Sequence, residues 1–560
     1  MKKKTFILLS AILLIGGILR FWQLGKVPVS PDWDEVSLGY NAYSLMQTGR
    51  DEYGKFLPIV MRSFDDYKPA LYSYLAIPVV AVFGMNVFAV RFVSALFGTL
   101  TVIAVYFLLR ELFGQKNLKL EARGFTIDIP ILATFLLAIS PWHIQFSRIA
   151  FESNVGLSFN VFSMLFFLKG LKKPWFFILS AVFAGLSIYV YQSEKVFVPL
   201  VILTLITIYR KEILAKPKKY ILGAAVLGAL IVAPMFFHIL TDRSSLQRAK
   251  GVSVFSDSTQ LLSESTKRVL VDVENHDVLG MVLDNRRILF AKEVVSGYLS
   301  HFDLNWLFTR GDISRHHAPS MGLLYIFELP LLLIGIYMLL FGPFSKKTKI
   351  FIFAWFLLTP VPASITSGVP HAVRTLNFLP TFQIFTAIGI ITSLSFVSGI
   401  RYQVSGIRIA KLFAICYLLL AVFNFTYYLN QYFVQQNYFN AGEWQYGYEK
   451  VIPEVKKVEG NYRKIVVSNE APMDQSYMFF LFYLKYPPDL YQKQSVNASG
   501  GFRENHTFGK FEFRPINWEQ DQQERDILFV GREIDFPKSI SYDSVVHYPD
   551  GKAAMKIVSP

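Results

Sequence analysis

Cysteine is nearly absent from this chain of 560 residues: Cys416 stands alone in an apolar run, which excludes an intrachain disulfide framework and any cysteine-based metal site. Nucleotide signatures are missing too. The sequence holds no P-loop, no Rossmann glycine fingerprint and no zincin motif, so nothing supports an ATP or nucleotide-sugar site. Internal repeats and long low-complexity linkers are also lacking. What is abundant is apolar surface. The chain is 53% hydrophobic and 16% aromatic, with a mean hydropathy of +0.37, above the roughly 45–50% apolar content of ordinary soluble proteins. That excess points to lipid as a solvent.

A span needs about 20 largely apolar residues, and eleven segments qualify as candidates: 5–24, 87–110, 127–143, 154–171, 174–192, 195–210, 220–240, 321–341, 350–366, 376–397 and 409–429. The net charge of +15 tests that count. Cations fall in short clusters between apolar runs, the pattern of a membrane topology signal and not of a nucleic-acid surface. With the N-terminus inside, Lys2-Lys3-Lys4, Arg110 to Arg123, Lys169-Lys172-Lys173, Arg210 to Lys219, Lys346-Lys347-Lys349 and Arg401-Arg408-Lys411 all face the cytoplasm. The first apolar run lacks a small-residue cleavage site before Arg20-Phe21-Trp22, so it reads as an uncleaved span. Ala70 to Phe83 is short and interrupted by Pro78, and reads as an interfacial or re-entrant helix on the outer side.

The expected fold is therefore mainly α: a polytopic transmembrane helix bundle of about eleven spans, N-terminus in and C-terminus out. Residues 1–430 form the membrane domain, with outer loops at 25–86 and 241–320, and residues 431–560 form an extracytoplasmic α/β domain. In that tail Glu443 to Val458 and Gln475 to Tyr486 read as helices, while Lys464 to Ser468, Asp526 to Val530 and Ser544 to Tyr548 read as strands. Asn497-Ala498-Ser499 and Asn505-His506-Thr507 match glycosylation sequons, a pattern that arises often by chance.

Candidate chemistry gathers on the outer side. Ser30-Pro31-Asp32-Trp33-Asp34-Glu35 opens an amphipathic helix carrying Val36, Leu38, Tyr40, Tyr43 and Leu45 and ending at Gly49. Asp32 and Glu35 have capping-box spacing. Asp34 is not needed for that box, leaving it either a partner of the helix dipole or a base for a hydroxyl nucleophile. Lys68, in Asp65-Asp66-Tyr67-Lys68-Pro69-Ala70-Leu71, is either a snorkelling cation or a grip for a lipid phosphate at a helix start fixed by Pro69. Arg148 and Glu152 are four residues apart and would share a helix face, either pairing with each other or lining a polar cavity. His371 and Arg374, in the turn after the ninth span, are interfacial residues or a second cation site. His316-His317 are weak candidates for metal ligands, because adjacent histidines on a helix point apart and the sequence offers no obvious acidic partner.

At these residues the chain resembles the GT-C class of membrane glycosyltransferases, in the branch that holds protein O-mannosyltransferases and the aminoarabinose transferases of lipid A. The resemblance covers roughly residues 5–430. It is carried by Asp34-Glu35, Lys68-Pro69 with Leu71, Gly84 and Arg91, Arg110 to Gly114, and Ser147-Arg148 with Glu152. Two departures are visible: the second acid is usually aspartate, and the usual Lys-Pro-Pro is Lys-Pro-Ala.

The resemblance implies a polyprenyl-phosphate sugar donor, a glycan, lipid or protein acceptor, an outward-facing cavity at the bilayer surface of the cell membrane, and inversion at the anomeric carbon. It makes Asp34 the general base, Glu35 a neighbour that orients a cation or substrate hydroxyl, and Glu152 the second acid. Lys68 becomes the donor-phosphate contact, with Tyr40, Arg148, His371 and Arg374 as further substrate-binding candidates. No nucleotide is required, no cofactor is certain, and a divalent metal is an option. The rival readings are a secondary transporter or lipid-linked glycan flippase, and a non-catalytic scaffold for the tail.

Overall fold

The computed structural model describes residues 3–64, 66–114, 119–122, 125–242, 251, 253–255, 259–399, 406–494 and 504–560. Lys2, Arg123, Arg401 and the sequon at Asn497 lie outside the described residues.

Each of the eleven apolar segments forms helix. The first part of the chain gives α1 (Lys3–Phe21), α2 (Trp33–Thr48), α3 (Leu71–Phe83), α4 (Val87–Phe113), α5 (Ile129–Ile139), α6 (Pro141–Arg148), α7 (Glu152–Gly170), α8 (Phe176–Ser187), α9 (Glu194–Ile208) and α10 (Lys218–Thr241). There follow α11 (Arg286–Ser300), α12 (Glu328–Phe341), α13 (Lys346–Leu358), α14 (Thr381–Gly399) and α15 (Gly406–Asn430). By length and composition, five described helices can cross a bilayer alone: Lys3–Phe21, Val87–Phe113, Lys218–Thr241, Leu376–Phe396 and Leu412–Phe439. A sixth follows if α5 and α6, bent by 54° at their junction, count as one span; Pro141 at the first position of α6 accounts for the bend.

The other segments read as spans fall short for physical reasons. Helices α8 and α12 have 12 and 14 residues, about 18–21 Å at 1.5 Å per residue, against a hydrocarbon core of about 30 Å. Helix α7 has 19 residues but buries Ser153, Asn154, Ser158, Asn160 and Ser163 among its neighbours.

Helix α3 has 13 residues with Pro78 inside and packs between α2 and α4. Ahead of it, β1 (Val60–Ser63) and β2 (Asp66–Pro69) form an antiparallel hairpin with Met61 opposite Lys68. A second hairpin, β3 (Lys119–Ala122) with β4 (Phe125–Asp128), joins α4 to α5, within the stretch read from sequence as a basic loop.

The tail contains α16 (Tyr448–Val458), α17 (Ser476–Leu484) and a six-stranded sheet. Its strands are β5 (Lys464–Val467), β6 (His506–Phe508), β7 (Phe511–Phe513), β8 (Ile527–Gly531), β9 (Ser544–His547) and β10 (Ala553–Val558), in the order β6-β7-β5-β8-β10-β9. Strand β5 runs parallel to β7 and β8, and the remaining pairs are antiparallel. The tail's core is continuous with the first loop: Val36, Leu38, Tyr40 and Ala42 of α2 join Met478, Phe479 and Phe482 of α17 in one buried cluster. At Gly39 an added Cβ would lie 2.6 Å from Val90 and 2.7 Å from Phe482, so only glycine lets α2 seat between α4 and α17.

Candidate active site

Helix α2 starts as its spacing predicts. Asp32 Oδ1 accepts the Glu35 backbone N–H at 2.9 Å, and Glu35 Oε2 accepts the Asp32 N–H at 3.3 Å, which is the capping box. The helix stops at Gly49, whose φ of 67° is the left-handed cap that glycine adopts at least cost. Asp34 takes no part in the box. Its carboxylate is bridged by the Lys68 ammonium.

Lys68 sits on β2 and not at a helix start. The chain turns through Ala70 before α3 begins at Leu71, and Lys68 crosses to α2 from the hairpin. Its ammonium lies 5.4 Å from the Phe64 ring centroid.

Asp34 and Lys68 line a cavity of about 240 Å³ together with Glu152, His371 and Arg374. Five of the eight residues singled out from sequence thus meet in one place. Arg315 and His316 join them from the loop before α12. Arg315 reaches Asp32 Oδ2 at 3.3 Å and lies 4.5 Å from the Trp33 ring. Arg374 donates to Thr366 Oγ1 at 2.5 Å and to the Ser367 carbonyl at 2.6 Å, which fixes its guanidinium at the rim.

Three sequence candidates lie away from the cavity, each held by other partners. Glu35 is buried in a two-oxygen pair with Arg91, at 2.8 Å for both contacts, and also accepts the Ala150 N–H at 2.9 Å. Arg91 in turn donates to the carbonyls of Leu24, Pro28 and Ser30. Glu35 thus orients a cation, but a structural one. Tyr40 is fully buried and donates its hydroxyl to the Tyr486 carbonyl at 3.1 Å. Arg148 is buried, donating to the carbonyls of Leu19, Arg20 and Val27.

Nor do Arg148 and Glu152 share a helix face. Arg148 ends α6, Ile149 is extended at φ −114° and ψ 148°, and Glu152 begins α7. The break is held by the Ala150 N–H on Glu35, so the buried Glu35–Arg91 pair sets where Glu152 stands.

Electrostatics differ across the site. Burial, then the charge of Asp34, pushes Asp32 up to about 7, against the pull of Arg315. At the far edge, Asp312, His316 and His371 bring one ligand atom each within 4.8 Å of one another. Asp312 Oδ2 is 3.0 Å from His316 Nδ1 and accepts the Ala372 N–H at 2.6 Å. Burial raises the Asp312 carboxyl, but hydrogen bonds from His316 and the Ala372 N–H oppose it, and Asp312 is held at about 2. Burial lowers both His316 and His371, keeping their lone pairs available. His371 Nδ1 is buried without a hydrogen-bond partner. A two-imidazole, one-carboxylate set with an orphaned ring nitrogen fits a divalent transition metal such as zinc. His317 points away, as adjacent histidines should, with Nδ1 at 3.1 Å from the Ile313 carbonyl.

Sequence reading missed Arg315 and Asp312. For Asp312 a signal existed, its four-residue spacing to His316; for Arg315 there was none, since its partner Asp32 is 283 residues away.

Comparison with known proteins adds a partial family match and a fold. Residues 67–238 match the family model for dolichyl-phosphate-mannose-protein mannosyltransferase. No curated protein matches the sequence. Among solved structures, ArnT from Cupriavidus metallidurans bound to undecaprenyl phosphate is similar over 100% of this chain and 98% of its own, at 11% identity and a TM-score of 0.55. Its apo form gives 99% and 97% coverage, 11% identity and a TM-score of 0.53. The archaeal oligosaccharyltransferase AglB from Archaeoglobus fulgidus, in complex with an inhibitory peptide and a dolichol-phosphate, is matched over 85% of this chain at 12% identity and a TM-score of 0.49; this chain spans 63% of its length. The chain is a membrane protein with the fold of ArnT, and the motif resemblance to GT-C glycosyltransferases is met independently by the family match over residues 67–238.

Proposed function

We propose that the chain transfers a sugar from a polyprenyl-phosphate donor to an acceptor hydroxyl at the extracytoplasmic membrane face, with inversion. One observation carries the reading: a single cavity gathers the carboxylates of Asp34 and Glu152 with the cations of Lys68, Arg315 and Arg374. Displacement at an anomeric carbon needs both kinds of group. The acceptor O–H gives its proton to Asp34, the oxygen bonds to the anomeric carbon, and the bond from that carbon to the phosphate oxygen breaks with its electron pair. The departing phosphate charge meets Lys68, Arg315 and Arg374. Because Lys68 also bridges Asp34, a donor phosphate competes for the same ammonium, and donor binding releases the carboxylate to act as base. Glu152, lining the same cavity, orients the acceptor. A divalent metal on Asp312, His316 and His371 would add positive charge at the cavity edge.

The basic clusters between the apolar segments support an inside N-terminus and an outside tail, with the domain boundary near 430. The transporter and flippase readings gain nothing from the geometry: the buried acids Glu194 and Glu328 are satisfied by Asn160 and Asn377, and by Thr386. The test is a transfer assay with polyprenyl-phosphate mannose and polyprenyl-phosphate aminoarabinose as donors, comparing wild type with Asp34→Asn. Product from wild type and a loss of at least a hundredfold in the variant is expected; full activity in a folded variant removes Asp34 as base.

A further inference from the structure

A second cavity, about 1060 Å³, lies elsewhere, between the ends of α1 and α4 and the tail. Its floor is apolar, with Phe21, Met85 and Phe88 below and Phe482 above. Beside it Phe83, Phe88 and Phe92 interlock at centroid distances of 5.4–5.9 Å, with Phe21 at 5.4 Å from Phe92, and Trp22 is 61% exposed. An exposed tryptophan at the end of a helix of spanning length marks the depth of the headgroups, and the phenylalanines beside it offer apolar surface to acyl chains.

Three lysines rim this slot, Lys26 from the α1 side and Lys456 and Lys485 from the tail, against the single lining acid Glu449. Lys456 also pairs with Glu459 at 2.5 Å. Lys485 caps α17 at φ 50°, a left-handed position where glycine is the low-cost choice. A lysine there holds a strained backbone, and the residue lines the slot. Gln23, on the opposite wall, is strained in the same way at φ 50°.

We infer that this slot binds the phosphate head of an anionic membrane phospholipid, with the lysines on the phosphate and the acyl chains along the phenylalanine belt. Room for a headgroup and glycerol, an apolar floor and a cationic rim occur together here, and each lysine beside an anionic lipid surface contributes on the order of 1 kcal/mol. The bound lipid would tie the tail to the ends of α1 and α4 from the bilayer side. The inference rests on the chain being a membrane protein and not on sugar transfer, so Asp34→Asn leaves it intact.

The full chain in detergent, titrated with phosphatidylglycerol and followed by native mass spectrometry, is the test, with phosphatidylcholine and inorganic phosphate as parallel arms. Wild type is expected to retain phosphatidylglycerol in preference to phosphatidylcholine, and the triple variant Lys26→Gln, Lys456→Gln, Lys485→Gln to lose affinity on the order of a hundredfold. Glu449→Gln is expected to strengthen retention. Equal retention by the triple variant, no preference over phosphatidylcholine, or equal competition by inorganic phosphate alone would each overturn the assignment. All four positions are exposed, so the variants fold as wild type, and monodisperse elution verifies it.

Discussion

Asp34 and Glu35 are adjacent in sequence, yet the regions they face differ in everything that governs reactivity. Glu35 looks into the core, where Arg91, the Ala150 N–H and the Asp32 N–H use its oxygens. Asp34 looks into a cavity, with its side chain 32% exposed and a lysine across from it. A closed ion pair with every valence used holds structure; an acid and a cation facing a void hold chemistry. The cavity wall and the core behind it are therefore separable by experiment, one through rate and the other through stability.

The sharpest break is Asp34→Asn, which is expected to lower transfer by about 10²–10⁴-fold while leaving the thermal midpoint near wild type, measured by product formation and by melting of the same preparation. Glu35→Ala should do the reverse. It leaves Arg91 buried without its partner, a cost of about 3–5 kcal/mol, read as a lowered denaturation midpoint, with the activity of the folded fraction falling far less than in Asp34→Asn and only through displacement of Glu152. If Glu35→Ala left stability unchanged but abolished transfer, the separation drawn here would fail. Lys68→Met comes next: loss of a charged hydrogen bond worth about 1.5–3 kcal/mol is expected to raise donor KM by roughly ten- to a hundredfold, with acceptor KM unmoved.

A smaller effect concerns Asp312, His316 and His371. Zinc at a hundred times its dissociation constant should stabilise wild type by about 2.7 kcal/mol, and His316→Ala should erase that shift; a zinc response surviving in the variant would move the ligands elsewhere. The smallest effect is a pH slope. Burial pushes Glu52 up to about 8 from 4.5 and Asp32 up to about 7 from 3.8. Between those limits the folded chain keeps protons that the unfolded chain releases, so stability is highest at the acidic end and falls as pH rises toward 8. Glu52→Gln is expected to flatten that decline in melting curves taken from pH 5 to 8.

What could be read from the sequence follows the range over which each signal acts. The apolar helices, the capping box at Asp32 and the left-handed cap at Gly49 are local, and all appear in the fold. The α6–α7 break is not local: Ile149-Ala150-Phe151 contains no glycine or proline, and the extended backbone rests on Glu35, 115 residues away. For the same reason Arg148 and Glu152, a sound pair on one continuous helix, end up on two. Strands β6 and β7 have three residues each, below the length at which alternation is visible, and β10 opens with two alanines, whose strand propensity is low. The cavity was legible as five residues with matching chemistry; Arg315 and Asp312 entered it through loop packing that periodicity does not encode.

The seating of Gly39 against Val90 and Phe482 bears on modularity. The helix that presents Asp34 has the tail of the chain as one wall of its own packing, so the tail is not an interchangeable cap. Exchange with the tail of a distant relative would transplant a surface that must fit a glycine-sized gap on α2. Any lineage altering acceptor choice through the tail must therefore conserve this contact or move both sides together.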